Sequence, residues 1–293
     1  MKLFFLSLLS AFASFQTLHA HDLFLRPETY QISIGETLKV IVFDGKFDES
    51  ANSVLAEQIS NIEIRGPENR TTIGQETWER IQAGSKFWRA RQEAAGLLGG
   101  TNLRRTSSFE ISPVSEGSYV VGITLRESRI AMDEFAYVGY LNNEAFSAEE
   151  FTATLHDDPK VVIRERYTKT AKTIIQVGDT MSTEATEPLG LLVEIVPLMN
   201  PAMIKKGDVA EFKILEDGEP LLNQSVVVGR NMGAFRHSVD SQIILHSNEN
   251  GIVSVLINHT GIWWLRLIHI ERSALAEEMD FFSRWCSLTF EVK

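Results

Sequence analysis

The chain has 293 residues, with 28 Lys and Arg against 39 Asp and Glu, and a formal net charge of −11. An acidic balance of this size argues against a nucleic-acid partner, because phosphate contacts require clustered Lys and Arg. Cys286 stands alone, which excludes an internal disulfide and a cysteine-based zinc site; in Trp285-Cys286-Ser287-Leu288 it reads as a small buried apolar residue.

Residues 1–20 read as a cleaved signal peptide. Lys2 is the only charge before Asp22, the run 3–9 is apolar apart from Ser7, and small and polar residues follow. The run is too short for a membrane span, which needs about 20 apolar residues. The expectation is a soluble exported protein, periplasmic in a Gram-negative bacterium. Two cleavage points compete: after Ala11-Phe12-Ala13, before Ser14, and after Leu18-His19-Ala20, before His21.

Beyond the leader, about 270 residues suggest two domains of ordinary size. From Gln31 the pattern is β, with strands predicted at 31–34 and 37–43 about the turn Gly35-Glu36, and at 61–65 before Gly66-Pro67. The stretch 72–98 fits no single class. Strand signals resume at 107–111 and 119–125, then short helices are predicted at 134–141 and 148–155, the second capped by Ser147 with Glu150. Residues 163–172 read as a charged helical turn or two running into a strand at 173–177. A Ser-, Thr-, Glu- and Pro-rich stretch then marks a linker at 181–190, dividing an N-terminal β-rich domain (21–180) from a C-terminal one (191–293). In the latter, strands are predicted at 191–197, 209–215, 225–229, 243–246, 252–257, 263–270 and 287–292, separated by turns such as Glu216-Asp217-Gly218. The fold class is therefore mainly β: two β-sandwich domains, the C-terminal one immunoglobulin-like or transthyretin-like, with a few short helices in the N-terminal one.

No phosphate loop, dinucleotide fingerprint, nucleophile elbow or closely spaced His/Glu zinc helix occurs, and no acid–base pair is singled out by spacing. What remains is histidine. Cleavage before His21 would present an α-amine, with a reference pKa of about 7.7–8.0, together with ring Nδ1. These nitrogen donors suit Ni²⁺, Co²⁺ or Cu²⁺ over Mg²⁺ or Ca²⁺. His269, at the end of the apolar run Trp263-Trp264-Leu265-Arg266-Leu267-Ile268, is the candidate third ligand from another strand. Asp22, Glu271 and Asp280 are candidate ligands or partners that fix a histidine tautomer. His237, in the polar stretch Phe235-Arg236-His237-Ser238, reads as a surface histidine and a further candidate. Each has a plainer role too: a frayed terminus for His21, a satisfied strand end for His269, solvated charges for the carboxylates. His156, His246 and His259 read as helix-end, strand-end and turn residues.

Five stretches in order carry a family resemblance. They are Ala20-His21-Asp22-Leu23-Phe24-Leu25, Arg166-Tyr167-Thr168-Lys169-Thr170-Ala171-Lys172-Thr173 with Gln176-Val177-Gly178, and Leu189-Gly190-Leu191-Leu192-Val193-Glu194-Ile195-Val196-Pro197 with Asn200-Pro201. The last two are Gly261-Ile262-Trp263-Trp264-Leu265-Arg266 with His269, and Trp285-Cys286-Ser287-Leu288-Thr289-Phe290. Together they resemble the exported bacterial family called domain of unknown function 4198, which is associated with nickel and cobalt uptake; nothing between 69 and 102 is family-like. The resemblance begins at His21, which favours cleavage there. It implies tandem β-sandwiches, His21 and His269 as metal ligands, and membrane components of a metal transporter as partners. The leading expectation is thus a periplasmic nickel, cobalt or copper binder in uptake or homeostasis rather than an enzyme. Two alternatives stand beside it: a copper histidine-brace oxidase or monooxygenase, and a non-metal envelope or carbohydrate-binding module displaying Trp263, Trp264 and Trp285. The alternation of those Trp residues with Leu and Ile favours the core instead.

Overall fold

The computed structural model describes residues 21–47, 50–72, 106–143, 162–231, 242–274 and 278–293; the leader, the helix expected at 148–155, His156 and His237 lie outside them. The first half of the chain supplies β1 (Asp22–Pro27), β2 (Gln31–Ile32), β3 (Leu38–Gly45), β4 (Ser50–Asn52), β5 (Ile59–Arg65), β6 (Arg70–Thr72), β7 (Ser107–Ile111), β8 (Gly117–Leu125), β9 (Ser128–Met132), helix α1 (Glu134–Asn143) and β10 (Ile163–Val177). The second supplies β11 (Val193–Pro197), β12 (Val209–Glu216), β13 (Glu219–Pro220), β14 (Ser225–Arg230), β15 (Ile243–His246), β16 (Ile252–Leu256), β17 (Gly261–Arg272) and β18 (Phe281–Val292). The chain is mainly β with sandwich-like layering, as its alternating patterns predict. No described helix is long and apolar enough to cross a membrane.

The strands of the described residues form three sheets. A ten-stranded sheet runs β15-β14-β17-β18-β10-β8-β5-β6, with β2 and β9 also paired to β10. One smaller sheet is β1-β3-β4 with β7 on β3, and the other is β11-β12-β13 with β16 on β12. The large sheet draws strands from both halves of the sequence, because β10 pairs in parallel with β18 from Glu165↔Phe281 to Thr173↔Thr289.

Period-two alternation assigns each smaller sheet to its own face of the large one. On β10, Ala171, Ile175 and Val177 pack with Leu23, Leu25, Val40 and Val42 of β1 and β3. The intervening Ile174 packs with Ile195, Phe212 and Val253 of β11, β12 and β16. On β17, Leu265 and Leu267 join this second core, whereas Trp264 meets Phe24, Phe43 and Phe47. Each such side chain fully buried contributes about 1.5–3 kcal/mol. Trp263, Trp264 and Trp285 are all buried, so their rings are core residues and not a displayed aromatic surface. Gly229 faces Trp264 across the β14–β17 pair, and a Cβ there would overlap the indole.

Two local readings are corrected. Residues 163–172 are not helical but open the 15-residue strand β10. Their charges fitted a helix surface, yet Glu165, Tyr167 and Lys169 face one side and Arg166, Thr168 and Thr170 the other, with partners on β9 and β18. The strands expected at 31–34 and 37–43 both exist in part but do not pair with each other: β2 lies parallel to β10, and β3 joins β1, β4 and β7.

Candidate metal centre

The Asp217-Gly218 turn fixes one corner of the site. Both residues have positive φ, 49° and 86°. That is the signature of a two-residue hairpin turn, which Asp-Gly adopts at low cost. It folds β13 back on β12 and ends β12 at Glu216, paired with Glu219. On β17, His269 and Glu271 are two residues apart and share a face, and His269 sits opposite Arg284 of β18. The long β17–β18 ladder therefore brings His269, Glu271 and Arg284 beneath Glu216.

The donor atoms of Glu216, His269 and Glu271 all lie within 4.8 Å of one another. His269 Nε2 is 3.4 Å from Glu216 Oε2 and 3.8 Å from Glu271 Oε1. Arg284 Nη1 pairs with both carboxylates, contacting Glu216 Oε1 closely and standing 3.2 Å from Glu271 Oε2.

Gln224, buried just before β14, decides the tautomer of His269. Its Nε2 donates to the carbonyls of Ser225 at 3.0 Å and Ile268 at 2.9 Å. Those two acceptors orient the amide so that its oxygen faces His269 Nδ1 at 3.0 Å. Nδ1 must then carry the hydrogen, which leaves the lone pair of Nε2 aimed at two carboxylates. A divalent cation placed between them would use that lone pair and an oxygen of each carboxylate at once. One imidazole and two carboxylates are a donor set suited to borderline divalent transition metals, so these residues fit such an ion, which would have to displace Arg284.

A cleft of about 260 Å³ opens beside this group, lined by Glu127, Arg166, Thr168, Leu192, Glu271, Phe282, Ser283 and Arg284. Arg166 lies 4.1 Å over the Phe282 ring and pairs with Glu127 at 3.0 Å.

The other candidates fall elsewhere. Asp22 pairs with Arg266 at 3.1 Å, and Lys169 with Asp44 at 2.9 Å. Burial pushes the Asp22 carboxyl up from its usual range, Arg266 and Lys169 pull it back, and Asp44 pushes it up again. His21 joins this group at its rim: Asn52 Nδ2 lies 3.1 Å from Asp44 Oδ2 and 3.1 Å from His21 Nδ1. The Asp44 carboxylate can only accept, so the amide nitrogen faces it and donates also to His21, whose Nδ1 bears the lone pair. Arg266 projects from the face of β17 opposite to His269, so the structure does not bring His21 and His269 to one ion. Asp280 Oδ2 accepts from the backbone N–H of Arg164 at 2.9 Å and holds the strand end rather than joining His269. Of the sequence candidates among the described residues, only His269 and Glu271 converge. Glu216 was legible merely as part of a turn, and Gln224 gave no signal, because the ladder that joins them to His269 spans distant segments.

Layered β-sheets with an imidazole and two carboxylates brought together from β17 of the large sheet and β12 of a smaller one define a sandwich-like β protein with a candidate cation site. The chain belongs to the family of a domain of unknown function (DUF4198), whose model matches residues 18–271. No curated protein matches it. Among solved structures it is similar to latent PorU from Porphyromonas gingivalis, with 12% identity and a TM-score of 0.20, over 93% of this chain and 20% of that one. It is similar also to Salmonella α2-macroglobulin reacted with methylamine (9% identity, TM-score 0.22, 93% of this chain and 15% of that one) and to murine CEACAM1b (9%, 0.18, 93% and 98%). The chain thus spans a fifth or less of PorU and of the α2-macroglobulin.

Proposed function

We propose that this is an exported periplasmic protein that binds one divalent transition-metal ion, nickel, cobalt or copper, and delivers it to membrane components of an uptake or homeostasis system. Its ligands are His269 Nε2, Glu216 and Glu271. The observation that carries the reading is the convergence of the Glu216, His269 and Glu271 donor atoms, with Gln224 engaging His269 Nδ1 and leaving Nε2 to face the two carboxylates. Titration of the purified, processed protein with Ni²⁺, Co²⁺ and Cu²⁺ by calorimetry tests it. One ion should bind per chain at micromolar concentration, and His269→Ala should abolish binding. Absence of stoichiometric binding to the parent protein would sink the reading.

A second reading keeps the metal at His21. Its support is the Asn52 amide, which donates to Nδ1 and so selects the tautomer with a lone pair there, a lone pair that chelation by a terminal histidine would take over from this hydrogen bond. Intact mass of the exported protein decides whether His21 is a terminus. If it is, Cu²⁺ binding that survives His269→Ala and is lost in His21→Ala would move the site there.

A further inference from the structure

We propose that the cleft beside His269 takes a small carboxylate that binds together with the metal, and that metal binding itself opens the receptor for it; this rests on the metal reading above. Among the described residues Arg284 spends one nitrogen, Nη1, on both Glu216 and Glu271, and its remaining N–H groups have no acceptor. Arg166 lies flat on Phe282, and its Nε is buried without a hydrogen bond although Glu127 Oε2 is 3.0 Å away. Thr168, between them on the same face of β10, has no partner for its hydroxyl among the described residues. Two guanidiniums and a hydroxyl thus line one 260 Å³ cleft, whose apolar walls are Phe282 and Leu192.

In the metal-free chain each guanidinium is offset by a carboxylate: Arg166 by Glu127, and Arg284 by Glu216 and Glu271. A divalent ion that takes both glutamates leaves Arg284 without a counter-charge at the cleft wall. Arginine's planar fork matches a carboxylate in bidentate fashion. Three protein donors also leave coordination positions of the ion open toward the cleft, so one carboxylate can answer both the ion and the released guanidinium. The cleft is smaller than the usual 300–1,000 Å³ of drug-sized sites, which limits the anion to a few carbons. Arg284 is the coupling element, because it must leave the glutamates before it can face the anion. By linkage each ligand then tightens the other.

The test is calorimetric Ni²⁺ titration with and without millimolar propionate, corrected for nickel–propionate association in solution. Propionate should tighten Ni²⁺ by about fivefold or more, the low end of ordinary coupling. Arg166→Gln should leave the Ni²⁺ affinity without propionate unchanged and lose the tightening. Arg284→Gln, which removes the competing cation, should bind Ni²⁺ more tightly alone and lose the tightening as well. Nickel binding that is indifferent to propionate, or tightening that persists in both variants, would overturn the inference and leave the metal site standing. A parent chain that binds no nickel would remove both readings at once.

Discussion

Gln224 shows how much one uncharged side chain can set. It touches no candidate ligand atom, yet by holding Nδ1–H of His269 it fixes which nitrogen is available. Partners of this kind are worth about 10–100-fold in metal affinity. Gln224→Leu should therefore weaken Ni²⁺ binding by about tenfold or more in calorimetry, with the far-ultraviolet circular dichroism spectrum of the parent retained. Glu165 poses a different problem at the same scale. It is buried, Tyr140 Oη donates to its Oε1 at 3.1 Å, and Ser283 Oγ donates there too. The hydroxyl of Tyr137 also faces this carboxyl, but neither it nor Glu165 Oε2 completes a well-formed hydrogen bond. Burial pushes its pKa up from 4.5, and the hydroxyls pull it only partly back. The folded chain holds this proton more tightly than the unfolded one, so the fold loses stability as pH rises from about 4.5 through the raised value, and the loss is complete above it. Glu165→Gln keeps the accepting oxygen and carries no charge. It should raise the urea midpoint at neutral pH and leave it unaltered below the carboxylate range; an equal gain at both would contradict this account.

At the scale of elements, β10 is the instructive case. Its sequence carries a run of charges that reads as a helix surface, and nothing local says otherwise. What makes it a strand is a partner on each side, β18 in parallel and β8 and β9 antiparallel. Its charges are then answered one by one by segments remote in sequence. The most buried answer is Lys172, whose Nζ lies 2.5 Å from Glu194 Oε1, both side chains 1% exposed. Glu194 also accepts backbone N–H groups of Leu189, Gly190 and Leu191 at 2.6, 2.9 and 3.2 Å, pinning the end of the stretch expected to be a linker. Burial pushes Glu194 up, but Lys172 and these amides outweigh it and leave its pKa below the usual value. Its contribution is therefore present above the ordinary carboxylate range and lost as pH falls through the depressed folded value. Lys172→Met strands a buried carboxylate and should cost about 3–5 kcal/mol at neutral pH in urea denaturation, with the deficit narrowing in acid.

For the molecule as a whole, the sequence was most readable where alternation is strong. The strands at 107–111 and 243–246 are predicted to the residue, and those around 209–215, 225–229 and 252–257 within one. Which strands share a sheet was not readable, because the pairing that joins the two halves, β10 with β18, matches segments more than a hundred residues apart. The candidate site inherits that limit: His269 and Glu271 are two residues apart, but Glu216, Gln224 and Arg284 come from three other segments. Packing gives a global check through Cys286, which is buried in the core between β11, β12, β17 and β18, its thiol pushed up to about 11 by burial. A thiol reagent should leave the native protein essentially unlabelled and react at a rate that follows global unfolding. Fast labelling under native conditions would show that this core opens locally.

The pairing of β18 with β10, and its contact with β1, has a kinetic consequence. Thr289 Oγ1 donates to Leu25 O at 2.6 Å across 264 residues, and meets Thr173 Oγ1 across 116. Contacts of such range make folding slow, since chain must be closed over a long path before they stabilise anything. The core under β11, β12 and β16, which takes Cys286, Leu288, Phe290 and Val292 from β18, cannot close until residues 281–292 have emerged from synthesis. A chain arrested before that point can pair β10 with β8 and β9, but the edge of β10 that β18 covers stays open and the large sheet remains in two pieces.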